Sequence, residues 1–496
     1  MSQRKELIEQ AGVYSFSAQL TQLITLVAAV LSRRFLGPTQ VGIWATLQLV
    51  VEYSKYSSLG IMYGVACEIP YLIGKAKVQA VEGIKNIAFT VVLGGSLLIA
   101  SGILLFAFST RGRFSAEITN GLYLISAIVV LQRVNDLVIS LLRSHKKFTL
   151  ASSQMIWSAV VNAFLVASLT YFFKIYGFIW AMILSFLFNL FYIHAHHRFH
   201  FRIQFPSQQV KALLAFGIPL LVIGIMTSVL RSLDKIMVAK LLGFEALGWY
   251  SIGFMVTSYI GGFSNSIAVV LFPHLQERFS RQDDPRDLRQ LLREVSLGHA
   301  LVMPGLIGLV WAVVPSLVVL FLPQFVPGIE AMKLLSLSAF FLALTQPFTD
   351  FLITIRKHFT LFPLITAASG VALVLNYWLI QGGFGIRGVA LATSLASWFH
   401  FSIIYFFASR HFEPFNAAVK RYIQLLGFGV YLGLVLILIH WLVPSDPRSF
   451  LGALLQALLF AVGYAPFLVV LSRRFRLLEL AGEKLWLKTQ SSNQIS

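Results

Sequence analysis

The sequence predicts an all-α polytopic membrane protein of about fourteen transmembrane helices. They are arranged as two six-helix bundles related by a pseudo-two-fold axis along the membrane normal, plus two carboxy-terminal helices. Three observations carry this expectation. Of 496 residues, 57% are hydrophobic and 12% charged, with a mean hydropathy of +0.78, whereas soluble domains carry about 25% charged residues. Apolar stretches close to the ~20 residues a spanning helix needs recur along the whole chain. Landmarks of the first half also return in the same order in the second.

The first repeat holds apolar stretches near 12–32, 41–66, 87–108, 118–142, 151–173 and 176–195. The second holds stretches near 213–238, 245–272, 297–322, 330–355, 361–381 and 385–408, and a final pair near 420–443 and 451–472 has no counterpart. Phe35-Leu36-Gly37, then Gly42-Ile43-Trp44, returns as Leu241-Leu242-Gly243, then Gly248-Trp249-Tyr250. Pro70 returns as Pro273, Lys147-Phe148-Thr149-Leu150 as His358-Phe359-Thr360-Leu361, and Tyr176-Gly177-Phe178 as Phe384-Gly385-Ile386. The offsets are 206, 203, 211 and 208. The expected divisions are therefore an amino-terminal lobe over 1–205, a second lobe over 206–412, and an extra helix pair with a cytoplasmic tail over 413–496. Same-direction duplication in a polytopic chain points to a transport fold whose halves rock about a central site. Arg4-Lys5 and the apolar run after it imitate a signal peptide, but 12–32 is needed as the partner of 213–238. It is read as a retained helix.

Net charge is +19. With the amino terminus inside, 26 of the 39 Lys and Arg fall in cytoplasmic segments, 8 outside and 5 within spans. That bias sets orientation, with both termini cytoplasmic, and places the excess charge beside anionic headgroups. Nucleic acid is excluded as a partner because no basic soluble domain exists. Cys67 is the only cysteine, so no intramolecular disulfide is possible. The longest connection, 274–296, carries five arginines and an apolar face of Leu288, Leu291, Leu292 and Val295; it is expected to lie flat on the cytoplasmic surface. Pro219, Pro304 and Pro347 fall in spans and mark either static curvature or a moving gate.

Charges inside spans are the strongest site signal, since each costs at least ~2.5 kcal/mol to insert. Glu52 and Lys55 are three apart and share a face of the second span. Arg133, Asp136, Ser140 and Arg143 stripe the fourth; Arg231, Asp234 and Lys235 form a patch in the seventh. Gln346, Asp350, Thr354 and Lys357 repeat the stripe in the tenth, with Asp350 near the repeat-equivalent place of Asp136. These groups either neutralise one another or line a cavity. In the second case Lys55, Arg133, Arg231 and Lys235 would attract a diphosphate or an acidic sugar, with arginine gripping phosphate oxygens bidentately. Glu52, Asp136, Asp234 and Asp350 would keep the anion from binding too tightly, and a buried carboxylate suits proton coupling.

Other motifs carry less. Gly383-Phe384-Gly385-Ile386-Arg387-Gly388 spells the dinucleotide pattern but joins two helices. The run from His194 to His200 caps a cytoplasmic helix end more naturally than it holds a metal. His400 and His440 are lone histidines in spans. With no Walker pattern, neither an ATP site, a cofactor nor a metal is expected.

Arg34-Phe35-Leu36-Gly37-Pro38 with Gly42-Ile43-Trp44, Gly217-Ile218-Pro219, Leu233-Asp234-Lys235 with Leu242-Gly243, and Phe272-Pro273 together resemble one family. It is the polysaccharide-transport, or O-antigen (Wzx-like) flippase, branch of the MOP exporter superfamily. The resemblance covers nearly the whole chain. It implies two six-helix bundles with two extra helices, in the bacterial inner membrane. It also implies export of an undecaprenyl-diphosphate-linked oligosaccharide, an O-antigen or exopolysaccharide repeat unit, through a cationic cavity that would map onto Lys55, Arg133, Arg231 and Lys235. Expected partners are that lipid-linked substrate, membrane lipids and the polysaccharide polymerase machinery, around a monomer. A multidrug exporter of the same superfamily is the alternative, disfavoured by basic rather than acidic residues in the spans. A membrane glycosyltransferase or polymerase is further off, since such enzymes need a sizeable outward loop and every outward loop here is short. The chain is not expected to be an enzyme.

Overall fold

The computed structural model describes residues 2–475 apart from 76, 146, 205, 206, 283 and 443–449. Residues 476–496, expected as a cytoplasmic tail, lie outside the described residues, as do the side chains of Cys67, Pro219 and His440. Helix dominates and no strand occurs among the described residues.

Helix α1 (Ser2–Ser54) bends at Gly37, whose φ of 73° is left-handed, and Pro38 follows without an N–H to give. Two helical halves meeting at this kink thus carry the first apolar stretch and the start of the second. The second stretch is not one continuous helix, as 41–66 had suggested. It passes through a 3-10 turn, Lys55–Ser58, and reverses hand at Leu59 (φ 50°) and Gly60 (φ 80°). It resumes as α2 (Ile61–Gly74). The left-handed pair ends the helix in the manner of a C-cap, with the Leu59 N–H closing on the Tyr56 carbonyl at 3.1 Å.

Then follow α3 (Val78–Ser109), α4 (Ala116–Ser144), α5 (Phe148–His196, kinked at Lys174), α6 (Ser207–Leu241) and α7 (Phe244–Gln282). The remaining helices are α8 (Arg289–Phe321), α9 (Ile329–Thr354), α10 (Leu361–Gln381), α11 (Gly385–Ser409), α12 (Phe415–Leu442) and α13 (Phe450–Phe475). Nine helices among the described residues are long and apolar enough to cross a membrane. Large apolar side chains stand exposed along them, including Phe172 and Trp378, a surface that lipid covers and water would not tolerate.

The segment 274–296 differs from its expectation. Among its described residues no separate surface helix forms: α7 runs on to Gln282, and a 3-10 turn, Pro285–Leu288, leads into α8. Leu288 and Leu292 are buried inside the protein, so the apolar face packs inward and not onto lipid.

The chain forms two compact units, Met1–Gly248 and Trp249–Ser496. In the first, α1 packs along α5, α3 along α4, and α6 against α1 and α2. In the second, α9 and α10 pack on α11, while α12 and α13 pack on α8. Gly305 and Gly308 of α8 make room for Tyr464 and the Phe460 ring, and the Tyr464 hydroxyl donates to the Leu301 carbonyl.

Two details reflect the sequence repeat. The Lys147 N–H reaches the Leu142 carbonyl at 3.0 Å, and the Lys357 N–H reaches the Leu352 carbonyl at 2.8 Å. Both close the same kind of turn after a span. Within the first unit, a Cβ on Gly42 would meet the Phe244 carbonyl oxygen at 1.7 Å, and a Cβ on Gly248 would meet that of Pro38 at 1.9 Å. Gly42 pairs with Gly248 in the repeat, and Pro38 with Phe244. The contact is reciprocal.

Candidate functional site

The second- and seventh-span clusters come together where α1 ends against α6. Lys55 opens the 3-10 turn, and its Nζ donates to Ser228 Oγ at 3.1 Å. The same amine stands 3.8 Å from Glu52 Oε1 and 5.0 Å above the Tyr56 ring. Tyr56 donates its hydroxyl to the Gly224 carbonyl at 2.5 Å and shares a 2.6 Å hydrogen bond with Ser228. Tyr53 and Ser232 share another at 2.5 Å. Gly224, Ser228 and Ser232 recur every four residues, so they form one face of α6. The tyrosines and serines satisfy one another and fix the seam, which leaves the charged groups at its margin. The Lys55 and Glu52 side chains are 40% and 37% exposed. Arg231 is exposed beside them, within electrostatic reach of Glu52 and Tyr56. Two accessible cations and one carboxylate thus share a hydroxyl-rich seam.

The other candidates sit differently. Asp234 is buried and accepts the Lys235 N–H at 2.8 Å, and Lys235 is half-buried. On α4, Arg133 and Asp136 pair at 3.2 Å, the guanidinium 10% and the carboxylate 42% exposed. Those two charges answer each other first. Asp350 belongs to the second unit, buried on α9, where Gln346 Nε2 donates to its Oδ1 at 2.9 Å. Its Oδ2 is buried without a hydrogen-bond partner. Charge does not point to Tyr53, Tyr56, Ser228 and Ser232, and hydroxyls in spans ordinarily bond their own helix backbone.

A further charged cluster lies in the second unit. Glu413, between α11 and α12, has a fully buried side chain. Arg421 Nη1 stands 3.1 Å from Oε2, Arg289 Nε 3.5 Å from the same oxygen, and the Tyr405 hydroxyl 3.4 Å from Oε1. The carboxylate ties the start of α8 to α11 and α12. Removing one member of a buried ion pair costs about 3–5 kcal/mol. Glu413→Gln is therefore expected to lower the thermal unfolding midpoint of the purified protein markedly, while Glu294→Gln, at an exposed position on α8, leaves it unchanged.

The histidine run behaves as a helix end. Lys147 Nζ lies 2.9 Å from His197 Nδ1, and His196 Nδ1 lies 2.9 Å from the Tyr192 carbonyl. Burial, then the Lys147 charge, lowers the His197 pKa. Among the described residues no three His, Cys, Asp or Glu gather to hold a metal ion. The Gly383–Gly388 segment turns between α10 and α11, with no strand before it.

Known proteins bear on this arrangement. The family described as "Polysaccharide biosynthesis protein" matches residues 30–327. No curated protein matches the sequence significantly. A structure of the lipid II flippase MurJ in an inward closed conformation is similar with a TM-score of 0.67 at 16% identity, over 93% of this chain and 99% of that one. An outward-facing multidrug resistance MATE family transporter of the MOP superfamily gives 0.62 at 13% identity, over 81% and 95%. A MOP superfamily transporter from Pyrococcus furiosus, described by a binding pocket of reverse polarity, gives 0.62 at 14%, over 81% and 94%. At these identities the likeness establishes the fold.

Proposed function

The chain belongs to the polysaccharide biosynthesis protein family, and we propose that it is a flippase for an undecaprenyl-diphosphate-linked oligosaccharide. The single observation that supports this most is the pair of accessible cations, Lys55 and Arg231, on a polar seam where α1 meets α6 in a MOP-type fold. A diphosphate suits two cations of different kind: the guanidinium offers a planar fork, the ammonium a mobile point charge. Glu52, close to both, weakens the hold so that the anion can leave. Arg133 and Lys235 contribute to the field along the path, with Asp136 and Asp234 as their counter-charges. Asp350, a buried carboxylate with one unpartnered oxygen, is the group best suited to carry a proton between states.

The two repeats, 1–205 and 206–412, rock in alternating access while the polyprenyl tail stays in the bilayer beside α12 and α13. The protein works as a monomer in the bacterial inner membrane with both termini cytoplasmic, the orientation that the positive-inside bias supports. It hands its cargo to the polymerase machinery. The reading predicts that deletion removes surface polysaccharide and leaves lipid-linked repeat units on the cytoplasmic leaflet, measured by glycosidase accessibility in spheroplasts and inverted vesicles. Units accumulating on the outer leaflet would contradict transport and point to polymerisation.

A further inference from the structure

The first unit contains a cavity of about 300 Å³ bounded by α1, α4 and both halves of α5. It shares no residue with the Lys55–Arg231 seam. Its polar lining is neutral except for Arg143: Thr21, Gln154, Asn162, Ser185 and Asn189 all face it. Gln154, Ser185 and Asn189 are more than nine-tenths buried. Gln154 Nε2 donates to Asn189 Oδ1 at 2.5 Å, and Asn162 Nδ2 donates to Ser185 Oγ at 3.1 Å. Gln154 Oε1 and Thr21 Oγ1 are nevertheless buried with no hydrogen-bond partner. Buried polar atoms are nearly always satisfied, and a membrane span has little reason to collect seven amides and hydroxyls on one void unless something polar enters it.

The chemistry of the lining selects the occupant. Amides and hydroxyls both give and take hydrogen bonds, so they complement a ligand dense in hydroxyls. No carboxylate lines the cavity, which disfavours a metal or organic cation. A single guanidinium favours a carboxylate or phosphate substituent. The volume is at the small end for ligand pockets, roughly 300–1,000 Å³, which limits the guest to one or two rings.

We infer that this cavity binds a sugar ring, with Arg143 reading an acidic substituent on it. The inference rests on the reading of the chain as a carrier of sugar headgroups, and assigns a headgroup subsite away from the cationic seam. The test is thermal unfolding of the purified full-length protein with glucuronate, glucose or inorganic phosphate at ~100 mM. A bound ligand raises the midpoint by mass action, here by about 2–4 °C for glucuronate and less for glucose. Gln154→Leu and Asn162→Leu are expected to abolish both shifts. Arg143→Gln is expected to remove only the excess of glucuronate over glucose, and Glu294→Gln, at an exposed position on α8, to leave both intact. Ser185→Ala, a smaller change, serves where a leucine variant does not fold and is expected to weaken both shifts.

No shift in the wild type, or an undiminished shift in the cavity variants, would overturn the site. Phosphate matching glucuronate while glucose does nothing would reduce it to an anion hole and overturn the sugar assignment. Binding is read here without flux, so the deletion phenotype can fail while binding stands, and the reverse.

Discussion

Arg231→Ala is expected to abolish surface polysaccharide while the amount of protein in the membrane stays normal. The side chain is exposed on α6, beside a seam held by Tyr53, Tyr56, Ser228 and Ser232 without it, so its removal leaves the packing intact. On the proposed reading, what is lost is the grip on the diphosphate. Hydrogen bonds to charged groups contribute about 1.5–3 kcal/mol each, so losing a bidentate pair lowers flux by roughly two to four orders of magnitude. Arg231→Lys keeps the charge but not the fork and should restore partial export. Lys55→Ala should be milder, because that amine is shared with Ser228 and Glu52. Immunoblot level with polysaccharide staining separates loss of function from loss of protein. Unchanged polysaccharide in Arg231→Ala, Lys55→Ala and Arg133→Ala alike would remove the cationic groups from the transport path.

The second large effect is structural. Gly42→Ala and Gly248→Ala should each lose most of the folded protein. In both, the new methyl would lie under 2 Å from a carbonyl oxygen of the facing backbone, and backbone inside a helix crossing does not yield as a side-chain tip does. Overpacking a well-fitted core costs about 1–3 kcal/mol even where side chains relax. Gly102→Ala is the control: nothing lies within 4 Å of its Cβ, and alanine in a helix interior gains about 0.5–1 kcal/mol over glycine. Size-exclusion profiles and unfolding midpoints of the three variants decide the matter. Equal stability of Gly42→Ala and Gly102→Ala would refute the close crossing.

The all-helical membrane class was legible because lipid enforces it: hydrocarbon lengths, the charge bias and the repeat landmarks are all one-dimensional signals. The reciprocal contact of Gly42 and Gly248 gives one landmark a physical reason, since close backbone approach at both ends of the crossing leaves room only for glycine. The break after Lys55 was less visible, although Gly60 marks it, because the surrounding residues remain apolar enough to read as one span. The charge clusters were found where charge is costly, but which of them meet is a matter of folding. Lys55 joins Ser228 across 173 positions, while Arg133 turns to Asp136 on its own helix. Glu413 is not legible as a buried group, because an acid in a short connection reads as solvated; its partner Arg289 is more than a hundred residues away. The amide-lined cavity left only Arg143 as a trace in the sequence, since its other polar members are single neutral residues on α1 and the two halves of α5.

The central claim, that the cationic seam passes a lipid-linked diphosphate sugar through the membrane, is tested most directly in proteoliposomes. The purified chain is reconstituted with a fluorescent undecaprenyl-diphosphate oligosaccharide, and the fraction accessible to an external quencher is followed with time. Wild type should carry the inner-leaflet pool outward, whereas Arg231→Ala should match protein-free vesicles. Equal rates for wild type and Arg231→Ala, both above protein-free vesicles, would contradict the role given to the seam. A wild-type rate no faster than that of protein-free vesicles would contradict transport itself.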